Sequence, residues 1–393
     1  MDIIIIAAGI FLALMFNFVN GVNDAANSIA TIVATKALTP LKAIALASVF
    51  TMIGPFIFTT AIAKTIGKSI VDPTFITTHL LLAAMFAAIL WVFLSSYFGI
   101  PVSSSHALIG GLLGAGIAKD GIGSILWPNI DTFFSLIGYM IIGSLISVVI
   151  FSAVSIMKKD KWHKNTGIAV LTGLSITVPL LIITETVVIK GILAVVVFIV
   201  VSPMLGMIAA YIFGLAIMYV FKSQQPDKLN KMFRPFQIVA GSVQAIGHGA
   251  NDAQNAMGMI TAMLLAGGLL SEFDVPLWVI LASCAAISIG TLLGGWRVVD
   301  KMANKITKIR PYQGLSASVA GGGVLALMTS FGVPVSTTHA MSGAIMGAGA
   351  TRGYSTAVKW GIVREIVTAW VLTLPAVALV SWLCYMAYAA IVL

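Results

Sequence analysis

Apolar runs of about 20 residues, nearly free of charge, follow one another from Ile3 to the far end of the chain. A bilayer's hydrocarbon core is about 30 Å thick, and a helix crosses it in roughly 20 residues. In lipid every backbone N–H and C=O must be paired inside the structure, so runs of this length fold as helices. Only 9% of the residues are charged, against about 25% in a soluble domain. The chain therefore reads as an all-α polytopic membrane protein. The first run reads as a span and not as a removable signal, because Asp2 stands where a positive cluster would be and no small-residue cleavage site follows. The two cysteines, Cys284 and Cys384, lie in apolar runs and imply no disulfide framework. The net charge of +9 sits in short loops between apolar runs, a pattern of membrane orientation and not of nucleic-acid binding.

Hydropathy predicts twelve spans, near 3–35, 43–62, 77–97, 100–118, 133–157, 166–184, 191–221, 236–265, 276–296, 314–332, 334–350 and 366–391. The fourth and eleventh are short and glycine-rich, so a re-entrant hairpin plus a helix is an alternative for each. Three loops are basic: KKDKWHK (158–164), KSQQPDKLNKMFR (222–234) and the run from Arg297 to Arg310. The positive-inside rule puts all three in the cytoplasm, which twelve spans satisfy with both termini outside the plasma membrane.

The chain repeats itself. GVNDAAN (21–27) returns as GANDAQN (249–255), and FGIPVSSSHALIGGLLGAG (98–116) as FGVPVSTTHAMSGAIMGAG (331–349). We divide it into a first repeat over 1–157, a connecting segment with two helices over 158–235, and a second repeat over 236–393. Loop charges relate the halves. Lys36 and Lys42 follow the first motif, but Glu272 and Asp274 follow its counterpart. The next loop has Lys64, Lys68 and Asp72 in the first half, against Arg297, Lys301, Lys305, Lys308, Arg310 and Asp300 in the second. Opposite biases at equivalent loops imply inverted halves, the arrangement of secondary transporters, with a site near the midplane between them.

Of thirteen acidic residues only Asp24 and Asp252 fall well inside predicted spans, and of twenty-two lysines and arginines none does. Each such carboxylate costs at least about 2.5–3.5 kcal/mol to insert. Asn20, Asp24, Asn27 and Thr31 share one helical face, and Gln244, His248, Asn251, Asp252 and Asn255 form a comparable stripe. Carboxylates with amide oxygens suit a hard cation such as sodium. PVSSSH (101–106) and PVSTTH (334–339) read as helix starts, where free N–H groups and the hydroxyls of Ser104, Ser105, Thr337 and Thr338 favour an anion. The following glycines permit close helix approach. His106 and His339 close these motifs and read as supporting or gating groups and not as ligands. No pattern suggests a transition-metal site, a nucleophile–base pair or a nucleotide loop, so neither an enzyme nor a cofactor is expected.

The doubled GxNDxxN segment with PVSSSH and PVSTTH resembles the inorganic phosphate transporter (PiT) family, over residues 17–118 and 241–350. The resemblance implies secondary transport of inorganic phosphate with sodium or protons, and an inverted-repeat fold of twelve helices. It assigns Asn23, Asp24, Asn27, Asn251, Asp252 and Asn255 to the substrate and ion site and Ser104, Ser105, Thr337 and Thr338 to the hydroxyl positions. The chain departs from animal relatives at Thr51, where they carry a glutamate, and Gln254 stands where the first motif has the smaller Ala26; both positions read as supporting or gating. The large hydrophilic loop of eukaryotic members is absent.

Charge arithmetic then predicts coupling. With no lysine or arginine at that depth, a phosphate beside two carboxylates needs cations, and about two or three sodium ions nearly neutralise the set. Asp24 and Asp252 would hold sodium, helped by Asn23, Asn251 and carbonyls where a helix is interrupted. The hydroxyls with Asn27 and Asn255 would face phosphate. Proton-coupled phosphate or metal–phosphate import, sulfate import, and a phosphate-gated channel or receptor are the alternatives. Apolar helix faces would serve lipid or a homodimer equally well.

Overall fold

The computed structural model describes residues 3–57, 60–157, 166–187, 189, 191–333 and 335–392. Asp2, the basic stretch 158–164 and Pro334, which carry parts of the sequence reading, lie outside the described residues. The described chain is helical between short connections, and its only bridges, Val71 to Ile125 and Thr307 to Val358, are isolated pairs. The helices are α1 (Ile3–Ala34), α2 (Pro40–Ile53), α3 (Ala61–Lys68), α4 (Thr78–Phe98), α5 (Ser104–Asp120), α6 (Ile130–Met157), α7 (Thr166–Ile183), α8 (Gly191–Val220), α9 (Pro226–Ala266), α10 (Leu277–Leu293), α11 (Trp296–Asp300), α12 (Pro311–Ser330), α13 (Thr337–Ala350), α14 (Tyr354–Ala357) and α15 (Trp360–Val392).

Six of these, α1, α4, α6, α7, α8 and α15, are long and apolar enough to cross a membrane, and two bent pairs raise the number to eight. That is fewer than the twelve spans predicted. The predicted spans outside the set are α5, α9, α12 and α13. Two of them are short, at 17 and 14 residues, and the other two interleave polar or small residues with their apolar ones. In α9 the polar residues that lower hydropathy include those of the centre described below. One bent pair turns by 81° between the α2 segment and α3, and the other by 63° between α10 and α11. Two loop assignments also change. Residues 226–234, read as cytoplasmic loop, form the first turns of α9, and the basic run from Arg297 starts as α11.

The expected interruption at the repeated motifs does not occur: α1 and α9 run unbroken through both. Proline and glycine are absent from NDAAN and NDAQN, so nothing there removes a ladder hydrogen bond. Interruptions fall instead between α2 and α3, between α10 and α11, and before α5 and α13.

Packing is reciprocal between the halves. α1 lies against α10 and α9 lies against α2. Gly21 abuts the Ile287 carbonyl, while Gly249 abuts that of Thr51. α5 packs on α15 through Gly110 and Gly114, whose missing side chains leave room for the carbonyls of Leu374 and Ala378. α13 packs on α8 in the same way, with Gly343 and Gly347 on the carbonyls of Pro203 and Met207. Such contacts let backbones approach where lipid gives no hydrophobic drive for association. They hold the polar motifs of α1, α5, α9 and α13 together in the interior.

Candidate functional site

Four helix segments supply the polar centre, two long helices through their middles and two short ones through their first turns. The short helices start alike. Ser103 Oγ accepts from His106 N at 3.2 Å, and Ser336 Oγ accepts from His339 N at 3.2 Å. These two serines are the N-caps, each in extended backbone conformation. With the caps filled, the next two hydroxyls of each motif are spare, and they reach inward.

Thr338 Oγ1 donates to Asp24 Oδ1 at 2.8 Å. Thr337 Oγ1 lies 3.3 Å from Asp24 Oδ2 and 3.1 Å from Asp252 Oδ2, so one hydroxyl spans both carboxylates. Ser104 Oγ approaches Asp24 Oδ2 at 3.4 Å. Asn27 Nδ2 donates to Thr337 and Thr338 at 3.2 and 3.1 Å. Across the centre, Asn255 Nδ2 donates to Ser105 Oγ at 3.0 Å. Both carboxylates are 1% exposed, so the centre is closed to solvent.

The amides divide. Asn251 Nδ2 donates to Asp252 Oδ1 at 2.6 Å and to the Val335 carbonyl at 2.9 Å, tying α9 to the segment that leads into α13. Asn23 turns the other way and donates to Ser96 Oγ of α4 at 2.8 Å. Gln254 is a clamp outside the centre, its Oε1 accepting from Ala63 N at 3.1 Å near the start of α3. Thr51 Oγ1 lies 3.5 Å from His248 Nδ1. His106 and His339 stack edge to face with ring centroids 4.9 Å apart, between the starts of α5 and α13.

Asn23 Oδ1, Asn27 Oδ1, Asn251 Oδ1 and Gln244 Oε1, on the two helices that carry the carboxylates, are buried with no donor. An unsatisfied buried polar group costs about 1–3 kcal/mol, and the cost is higher for charge. No lysine or arginine contacts these groups among the described residues. The chemistry that fits such a set is a cation bound by oxygens.

Three residues carry more than their sequence showed. His248 occupies the stripe position matching Asn20, and its Nε2 lies 3.2 Å from Asp252 Oδ2. One ligand atom each from Asp24, His248 and Asp252 falls within 4.8 Å of the others. The i, i+4 spacing to Asp252 is the signal that points to it. Gln244 Nε2 donates to the Asn27 carbonyl at 2.5 Å and joins α9 to α1 at the motif. Trp370 of α15 stacks on His339 at 4.0 Å and donates from Nε1 to the Pro101 carbonyl at 3.0 Å. It therefore braces both hydroxyl motifs, and a tryptophan in an apolar span gives no sequence sign of that.

Comparison with known proteins points one way. Residues 20–381 match the family described as "Phosphate transporter family". A "Probable low-affinity inorganic phosphate transporter" of Rhizobium meliloti (strain 1021) is 41% identical over 379 residues, 96% of this chain and 95% of that one. A protein of the same description from Bacillus subtilis (strain 168) is 35% identical over 390 residues, covering 98% of each chain. A solved structure, "The sodium-dependent phosphate transporter", superposes with a TM-score of 0.70 at 26% identity, over 99% of this chain and 100% of the other.

Proposed function

The chain belongs to the phosphate transporter family, and from that premise we propose that it imports inorganic phosphate with sodium, by alternating access, across the plasma membrane. Family membership makes it a membrane transporter of phosphate and not an enzyme. The finer reading rests above all on one observation: two buried carboxylates share the Thr337 hydroxyl, the amide oxygens of Asn27 and Asn251 beside them have no donor, and no lysine or arginine contacts them among the described residues.

In this reading sodium ions sit against Asp24 and Asp252, with the free amide oxygens of Asn23 and Asn251 as neutral ligands. No other cofactor takes part. Phosphate oxygens accept hydrogen bonds from Ser104, Ser105, Thr337 and Thr338 and from the amides of Asn27 and Asn255. Those hydroxyls spend their protons on carboxylates and amides in the closed centre, so they turn to phosphate only as sodium takes over the carboxylates. Each ligand thus improves the site for the other, which is a coupling free energy between them. The halves sit inverted, with both termini outside, and rock about the fixed centre. Reciprocal packing of α1 on α10 and α9 on α2 supports that relation.

His248 beside Asp252 favours one further reading, in which a proton replaces sodium at that carboxylate. Labelled phosphate uptake into proteoliposomes separates the two. The sodium reading expects uptake to follow an imposed sodium gradient and to accelerate in counterflow, which a channel cannot show, with sulfate a poor competitor. Uptake driven by a proton gradient in sodium-free buffer would overturn it in favour of protons.

A further inference from the structure

A phosphate anion has to approach two carboxylates, and the basic residues of this chain lie mostly on the face assigned to the cytoplasm. A cavity of about 640 Å³ lies among segments that the proposed orientation puts on the other face. It is lined by the ends of α3, α7 and α12 and by the segment before α8, with Lys64, Thr65, Lys68 and Ser69 on one wall and Gly332 and Val333 on another. Under the orientation above, every one of these ends falls outside the membrane.

We propose that this cavity is an outer vestibule in which Lys64 and Lys68 capture phosphate before it enters the buried centre. The proposal rests on the phosphate-import reading. Lys64 and Lys68 are exposed and one helical turn apart, on the face of α3 opposite to its buried Ile62, Ala63 and Ile66. They stand against the positive-inside trend, which disfavours lysine here unless it has another use. Lys119, on the same face, is occupied by the Phe75 carbonyl at 2.8 Å and Asp120 at 3.1 Å. Neither Lys64 nor Lys68 has an ion pair among the described residues. Lys68 rests over the Phe273 ring at 5.2 Å, which orients it and leaves its charge uncompensated. Asp72 forms no ion pair with either lysine among the described residues. It accepts from the hydroxyl and the N–H of Thr74, which hold its carboxyl below the usual carboxylate range. Glu185 also lines the cavity, so among the described residues its wall carries two positive charges and one negative.

The size and position suit the task. At about 30 Å³ per water, 640 Å³ holds a phosphate with much of its hydration shell. Thr65 Oγ1 points to the Gly332 carbonyl at 3.5 Å. Val333 is two residues from Val335, whose carbonyl takes Asn251, and four from Thr337. The wall that carries Gly332 and Val333 is therefore within a few residues of the site's hydroxyls. α3 is in turn tied to α9 by Gln254, next to Asn255. A local positive potential in a cleft raises the arrival rate of an anion and fades with salt.

The test is phosphate uptake by proteoliposomes carrying wild type, Lys64→Gln/Lys68→Gln or Lys64→Arg/Lys68→Arg, at fixed sodium and with ionic strength varied by choline chloride. The expected result is a KM for phosphate raised about three- to tenfold in the glutamine pair at low ionic strength, with Vmax unchanged. That ratio should shrink toward one at high ionic strength, and the arginine pair should keep the wild-type KM. An unchanged KM in the glutamine pair, a fall in Vmax alone, or an equal rise in the arginine pair would each overturn the vestibule while leaving phosphate transport standing. Absence of wild-type uptake would overturn the transport reading and this proposal with it.

Discussion

Replacing Trp370 by phenylalanine removes one N–H from a place where the structure offers no substitute. Trp370 is 2% exposed, and its Nε1 donates to the buried Pro101 carbonyl at 3.0 Å. Proline has no N–H of its own, so this carbonyl helps to fix the extended segment that sets where α5 begins. Leaving it unpaired costs about 1–3 kcal/mol. The smaller ring also leaves a gap beside His339, worth on the order of 1 kcal/mol more. Trp91→Phe is the matched control, since Trp91 Nε1 donates to Thr373 Oγ1 at 3.2 Å on the same helix. Thr373 keeps its own bond to the Ala369 carbonyl at 2.7 Å, and Trp91 is only half-buried, so the loss is about 0.5–1.5 kcal/mol. Both variants are followed by thermal unfolding in detergent and by uptake kinetics. Trp370→Phe should unfold at a lower temperature than Trp91→Phe. It should also lose uptake about 5–150-fold, because a 1–3 kcal/mol bias displaces Ser104 and Ser105 by that factor in population. Equal behaviour of the two variants, or wild-type uptake in Trp370→Phe, would refute the bracing role.

Gly110→Ala should cost about 1–3 kcal/mol, since a methyl there would meet the Leu374 carbonyl at 2.6 Å, whereas Gly123→Ala, with nothing within 4 Å, should stay within about 0.5 kcal/mol; unfolding in detergent compares them. Glu365→Gln strips the counter-charge from Lys301, whose side chain is only 9% exposed, and should destabilise by about 1–3 kcal/mol. Asp300→Asn disrupts an exposed pair with Lys305 and should cost less than about 1 kcal/mol, with the difference measured in the same unfolding assay. Asp24→Asn and Asp252→Asn should each abolish sodium-driven uptake while the variants still elute as folded protein, which size-exclusion profiles and uptake check together.

The apolar runs carried the helical architecture, because helix formation in lipid is forced by backbone pairing and needs only length. They misjudged continuity. A run that counts as one span on hydropathy is bent by 81° between α2 and α3, since a bend is decided by what packs beside it. The repeated motifs do come together in the fold: Asp24, Asp252, Asn27 and the two threonines are linked by hydrogen bonds. Which hydroxyl caps each helix was not legible, since Ser103, Ser104 and Ser105 are chemically alike and only backbone conformation separates cap from first turn. Asn23 and Gln254 show the same limit, because neighbours on one helix point to different partners once it is packed. Trp370 lay beyond reach, as its role depends on a carbonyl in another part of the chain.

On the proposed mechanism, phosphate enters this centre only with the cation that neutralises Asp24 and Asp252. Titration calorimetry of phosphate into the purified protein tests it most directly, with sodium exchanged for choline at constant ionic strength. The expected result is a phosphate Kd that falls steeply as sodium rises and no measurable heat in choline alone. The same phosphate Kd in choline as in sodium would contradict it.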